Sequence, residues 1–135
     1  MIYVTRRERF SAAHRLFRPE LSDEENFKIF GKCSNPNWHG HNYILEVVVA
    51  GNPDKETGYV IDINLLKKIV REFVINKIDH KNLNLDTDFM QGIMPSGENI
   101  AKAIWGQIEN RLPSGRLYSV KLFETENNYF EYRGE

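Results

Sequence analysis

Four histidines are the natural starting point for chemistry in this chain, because imidazole is the commonest metal ligand and changes charge nearest physiological pH. They are His14, His39, His41 and His80. His39-Gly40-His41 sets two imidazoles at i and i+2, which project to one side of an extended chain, with Gly40 leaving space between them. His14 follows an apolar-rich first segment and can supply a third nitrogen if that segment pairs with the one beginning near His39. Three nitrogens without a fourth protein ligand suit a catalytic zinc, whose open position takes water or substrate oxygen, whereas a structural zinc wants four closed ligands. The tripeptide alone also fits a turn with two exposed histidines, so its spacing does not establish a metal site.

The remaining candidates each have a structural reading beside the functional one. Cys33 lies in the turn-rich stretch Gly31-Lys32-Cys33-Ser34-Asn35-Pro36-Asn37-Trp38. Beside a metal its thiolate is favoured, as a general base or a fourth ligand, while free cysteines are also common core residues. Asp79-His80 pairs a carboxylate with an imidazole, an arrangement that fixes a tautomer and raises basicity, or is simply a polar loop. Ser96-Gly97-Glu98 reads as a helix N-cap with an acid in the first turn. Glu124, inside the apolar run Leu122-Phe123-Glu124, must be paired or solvated, and a carboxylate there can receive the paired N–H donors of a guanidine-like ring edge.

The chain that must position these groups has 135 residues, 41% of them hydrophobic, which is enough for one domain over 1–135 with one core. Lys and Arg number 18 against 19 Asp and Glu, leaving no basic excess for nucleic acid or an anionic membrane. A small-molecule ligand is expected. No apolar run nears the roughly 20 residues of a membrane span. No signal-like stretch follows Thr5-Arg6-Arg7-Glu8-Arg9, so a cytoplasmic location is the default expectation. Cys33 is the single cysteine, which excludes an intramolecular disulfide.

Strands are expected at Ile2 to Ala13 and at Tyr43 to Ala50, the latter with one parity wholly apolar. Asp62 can cap a helix carrying Leu65, Leu66, Ile69, Val70 and Phe73 at helical spacing and ending near Asn76. A second helix starts at Ser96, presents Ile100, Ala103, Ile104 and Ile108, and stops before Pro113 and Gly115. Strands Leu117 to Thr125 and Tyr129 to Arg133 flank a tight turn at Glu126-Asn127-Asn128. The order ββααββ predicts an α+β fold, a four-stranded antiparallel sheet with both helices on one face. Its other face keeps apolar residues such as Ile44 and Val48, so a homo-oligomer is expected.

Several runs together resemble the 6-pyruvoyl tetrahydropterin synthase family. They are Phe10-Ser11-Ala12-Ala13-His14-Arg15-Leu16, Ser22-Asp23-Glu24-Glu25-Asn26 and the stretch from Gly31 through Tyr43. Later ones are Asp79-His80-Lys81-Asn82-Leu83, Glu98-Asn99 and Glu124-Thr125-Glu126-Asn127-Asn128, so the likeness covers almost the whole chain. The resemblance implies a tunnelling fold, with trimeric rings stacked into a hexamer and sites between subunits. It implies zinc on His14, His39 and His41, Cys33 as the proton-abstracting base, Asp79 with His80 as the partnered acid-base group, and Glu124 as the pterin anchor. It also implies conversion of 7,8-dihydroneopterin triphosphate to 6-pyruvoyl-tetrahydropterin with loss of triphosphate.

Two departures from the family pattern bear on the pocket. Ser96 and Gly97 stand where the family usually shows threonine at one or both positions, which puts side-chain contact at Gly97 in doubt. Trp38 stands where glycine usually precedes the first histidine, and a bulky indole there can reshape the pocket entrance. The nearest alternative is 6-carboxytetrahydropterin synthase, in queuosine-precursor biosynthesis, whose Cys-to-His spacing is usually shorter. The five residues between Cys33 and His39 favour the pyruvoyl enzyme. A zinc-stabilised binding module without catalysis, closed by Cys33 as fourth ligand, is the remaining alternative.

Overall fold

The computed structural model describes residues 1–135. Its backbone is a five-stranded sheet in the order β3-β1-β2-β4-β5. The central pair is β1 (Ile2–His14) and β2 (His39–Gly51), antiparallel along their full length, with Ala12 opposite His41 and His14 opposite His39. On β1 alternate residues Phe10, Ala12 and His14 turn inward, as do Tyr43, Leu45, Val47 and Val49 on β2. That period of two is the one read from the sequence. Both strands run further than expected, so that His14 ends β1 and His39 begins β2.

β4 (Arg116–Thr125) and β5 (Asn128–Tyr132) form the closing hairpin, β4 pairing with β2 across a bulge at Val48/Val49. The fifth strand, β3 (Lys81–Asn82), runs parallel to β1 and corrects the expectation of a four-stranded, wholly antiparallel sheet. It is two residues long, held where the His80 N–H donates to the Ser11 carbonyl (2.6 Å) and the Leu83 N–H to that of Ala13 (2.8 Å). A bridge this short carries no hydrophobic period to read.

Helices cover one face. α2 (Ile63–Val70) is capped by Asp62, whose carboxylate accepts from the Asn64 N–H at 2.8 Å. It continues through a π-turn, Arg71–Ile75, into the short α3 (Asn76–Ile78). α4 (Gly97–Ile108) packs on β4 and β5, and Ile100, Ile104 and Ile108 enter the core beside Leu66, Val70 and Val74. No helix is long and apolar enough to cross a membrane. On the other face Val48 is covered by its neighbours, while Ile44, Tyr3 and Tyr129 keep solvent-exposed surface.

A further helix, α1 (Asp23–Phe30), has no counterpart in the expected order. Its start is nevertheless written in the sequence as a capping box. Ser22 Oγ accepts from the Glu25 N–H, and the Glu25 carboxylate accepts from the Ser22 N–H, each at 3.1 Å. The apolar content of α1 is too small to give a helical stripe, and only Asn26 of its residues is buried. Ser22→Ala removes the Oγ half of the box, leaving the backbone N–H of residue 22 to donate to Glu25, and is expected to cost about 1 kcal/mol locally. Amide exchange should quicken over residues 23–30 and leave β1 and β2 unchanged.

Candidate functional site

At the end of the β1–β2 pair the inward parity that fills the core becomes histidine. The ligating atoms of His14, His39 and His41 all lie within 4.8 Å of one another. Gly40 between the two β2 histidines is required by close approach, since a Cβ there would stand 3.1 Å from the Ala12 carbonyl oxygen. His14 is only 1% exposed, and its Nδ1 lies 2.8 Å from the Pro95 carbonyl oxygen. A carbonyl can only accept, so Nδ1 carries the hydrogen and the lone pair sits on Nε2. That Nε2, with His41 Nε2 and His39 Nδ1, is buried and without a hydrogen-bond partner.

Three converging, unpartnered imidazole nitrogens are costly in an empty protein interior and are what a three-coordinate metal site requires. Protonation does not relieve them. Burial, and then the neighbouring His39 and His41, hold the His14 imidazole down at about pKa 4, against the partial opposition of the Pro95 carbonyl. Burial and the proximity of His41 lower His39 as well, opposed by Glu124. His14 and His39 are thereby held toward the neutral form, which is the ligating one.

Glu124, on the inward side of β4, brings a carboxylate oxygen to 3.9 Å from His14 Nε2 and another to 3.7 Å from His41 Nε2. Cys33 sits in the 3₁₀ turn Gly31–Ser34 that follows α1, partly exposed and outside the cluster of converging nitrogens. It lines a cavity of about 1120 Å³ with His39 and His41, walled on the other side by Asp23, Phe27 and Lys32. The thiol, the metal-ligand edge and α1 thus share one space.

Asp79 and His80 do not open into that cavity. The Asp79 carboxylate accepts from the Ser11 N–H at 2.9 Å and meets His80 Nδ1 at 3.0 Å. The Ser11 amide, and secondarily His80, hold the Asp79 carboxyl below its ordinary range. His80 has φ +60° and a side chain 82% exposed, lining an open depression with Ser11, Asn42 and Asp86 that adjoins the first cavity at Gly40 and His41.

The 96–98 segment contributes backbone rather than side chains. Ser96 caps α4, its Oγ accepting from the Asn99 N–H at 3.2 Å, Gly97 is buried, and Glu98 is exposed on the β5 side. What reaches the triad from here is the Pro95 carbonyl, which sequence reasoning missed because a carbonyl has no residue-type signature. Trp38 adopts φ +68° and packs edge-on against Phe17, whose ring also carries the Arg15 guanidinium at 3.9 Å. The residues lining the Cys33 cavity include Asn35 and Pro36 of the same loop, but not the indole. Tyr43 is a second residue the sequence did not single out. Its hydroxyl is buried without a partner, and burial, then the charges of Glu124 and Cys33, push its ionisation upward.

The family model described as 6-pyruvoyl tetrahydropterin synthase matches residues 3–135. A 6-pyruvoyl tetrahydrobiopterin synthase of Pongo abelii is 50% identical over 132 residues, covering 98% of this chain and 91% of the relative. The structure of a Caenorhabditis elegans 6-pyruvoyl tetrahydropterin synthase superposes with a TM-score of 0.91 at 38% identity, covering 99% of this chain and 96% of that one. A 6-carboxy-5,6,7,8-tetrahydropterin synthase of Rickettsia felis is 30% identical, covering 97% of this chain and 99% of its own.

The neutral, buried His14 sets a pH dependence. Its folded pKa of about 4 lies below the unfolded 6.5, so the unfolded chain binds more protons between those values and metal-free protein loses stability as pH falls through them. The Tm of metal-free protein should drop steadily from pH 6.5 to 4, and His14→Gln should make that slope shallower. A flat Tm across the window would contradict a buried neutral ring.

Proposed function

The chain belongs to the 6-pyruvoyl tetrahydropterin synthase family, and from that premise we propose that it converts 7,8-dihydroneopterin triphosphate to 6-pyruvoyl-tetrahydropterin with elimination of triphosphate. The observation that carries this reading is the convergence of three unpartnered imidazole nitrogens beside the cavity lined by Cys33. His14, His39 and His41 would hold the metal, which we take to be zinc because three imidazole ligands with an open position suit it. When bound, zinc supplies Lewis-acid polarisation of substrate hydroxyls.

The chain's own residues supply the rest. Cys33, as thiolate, takes a proton from the carbon bearing a polarised side-chain hydroxyl. Glu124 receives the paired N–H donors of the pterin ring, which sets the side chain against the metal-ligand edge. Asp79 keeps its negative charge through the Ser11 amide, orients the His80 imidazole, and the pair moves protons on and off the substrate. The side chain of the substrate is oxidised as its ring is reduced, so no external redox cofactor is needed. The Pro95 carbonyl touches the triad, and Ser96, Gly97 and Glu98 follow it as the segment this reading assigns to substrate binding.

The same reading makes the protein a homo-oligomer, a hexamer of two trimers, acting in the cytoplasm. Tyr3, Ile44 and Tyr129 leave the outer sheet face suited to association. Cys33 and His80 line two cavities of one chain that adjoin at Gly40 and His41 without sharing either side chain. A working site then combines Cys33 of one copy with Asp79 and His80 of another.

The 6-carboxytetrahydropterin synthase reading is kept by the relative of that name, at lower identity than the pyruvoyl synthase. Purified zinc-loaded protein, incubated anaerobically with 7,8-dihydroneopterin triphosphate, should release triphosphate and yield mainly 6-pyruvoyl-tetrahydropterin by mass. Mainly the 6-carboxy product would assign the chain to the alternative, and no turnover would overturn both. Cys33→Ala should keep its zinc and lose turnover by 10²-fold or more, on the order expected of a lost general base. Zinc loss in that variant would make Cys33 a ligand instead.

Mixing tests the shared site. Cys33→Ala and His80→Ala should each be inactive, and co-assembled oligomers should regain up to about a quarter of wild-type activity, because a quarter of randomly paired sites carry neither change. No recovery in verified mixed oligomers would place both residues in one chain's site.

A further inference from the structure

Gly97 opens α4 with its Cα against the Phe130 ring. A Cβ at position 97 would stand 2.1, 2.3 and 2.6 Å from three atoms of that ring, closer than any real contact. The aromatic ring therefore occupies the volume that a side chain at 97 would need. Phe130 is held there by β5, where it lies opposite the fully buried Leu122 and packs against the core.

The turn beneath the ring is tied to itself and to the metal ligands. Ser96 Oγ accepts from the Asn99 N–H at 3.2 Å, Asn99 Nδ2 donates to the Met94 carbonyl at 2.9 Å, and the Ser96 N–H donates to the same carbonyl at 2.9 Å. Pro95 lies inside this loop, and its carbonyl oxygen is the one 2.8 Å from His14 Nδ1. The contacts are thus continuous from Phe130, through Gly97 and the capped turn, to the ring nitrogen that decides where the His14 lone pair points.

We propose that Phe130 is a positioning residue for the metal centre, holding His14 in its ligating orientation by pressing on the Gly97 turn and so fixing the Pro95 carbonyl. The proposal rests on the metal-centre reading above. Partners that orient a ligating histidine typically change metal affinity by about 10–100-fold when removed. A side chain at 97 would require the Phe130 ring to move, so the two positions form a coupled pair.

A control is available on the same two elements. Tyr132 of β5 packs edge-on against Trp105 of α4, with ring centroids 5.4 Å apart. Trp105 is eight residues beyond Gly97, about 12 Å along the helix axis, so this contact docks the helix without bearing on Pro95.

The experiment measures zinc affinity of purified oligomer by competition with a chromophoric chelator, and follows the His14 Nδ1–H resonance by NMR. Phe130→Ala should weaken zinc by about tenfold or more and lose or broaden that resonance, while Tyr132→Ala keeps both even where its Tm falls. Gly97→Ala should weaken zinc as Phe130→Ala does, and Gly97→Ala combined with Phe130→Val should restore much of it, which keeps the test decisive if Phe130→Ala does not fold. Wild-type affinity in Phe130→Ala, an equal loss in Tyr132→Ala, or no recovery in the double variant would reduce the contact to ordinary packing. Failure of the wild type to bind zinc at all would instead sink the metal-centre reading on which it rests.

Discussion

The antiparallel register of β1 against β2 is the constraint from which the site follows. It sets His14 opposite His39 and Ala12 opposite His41, on the parity that elsewhere in these strands carries Phe10, Leu45 and Val47 into the core. Side chains alternate strictly along a strand, so a slip of one residue would carry the imidazoles to the outer face together with the apolar residues. Core packing thus enforces the register, and the register enforces the triad. The metal centre is an extension of the hydrophobic core in geometry, with its chemistry exchanged.

That exchange carries an electrostatic cost that shapes what the site does. The buried His14 imidazole resists protonation, and the three unpartnered nitrogens have no hydrogen bonds to recover what burial removed. A cation is the group that would satisfy all three at once, and the Glu124 carboxylate beside them would offset part of its charge. The Pro95 carbonyl fixes one ring before any ion arrives, so the start of α4, remote in sequence from both strands, belongs to the site. The pressure of Phe130 on Gly97 is the far end of the same arrangement.

Much of this was legible in order of residues. The capping role of Ser96, the Asp62 cap, the helical stripes of α2 and α4 and the parity of β2 are local properties, and the structure keeps them. α1 and β3 were not foreseen. α1 has a capping box but almost no buried face, and β3 exists only because the 80–83 backbone meets a free edge of β1. Trp38, a departure from the family pattern, takes a positive φ and packs edge-on against Phe17.

By itself the sequence determined residue types and their local periods. It named His14, His39, His41, Cys33, Asp79, His80 and Glu124 as the groups able to do chemistry, and it determined the alternation that faces His39 and His41 one way. Tertiary structure decided which of them meet. It gathered three imidazoles and Glu124 at one strand end, set Cys33 in the cavity on one side of His41, and left His80, with its partner Asp79, at the depression on the other. It also supplied Pro95 O and the Gly97 contact with Phe130, which no local rule contains. The physical reason is that register and packing act between segments far apart in the chain, where distance along the sequence carries no information about distance in space.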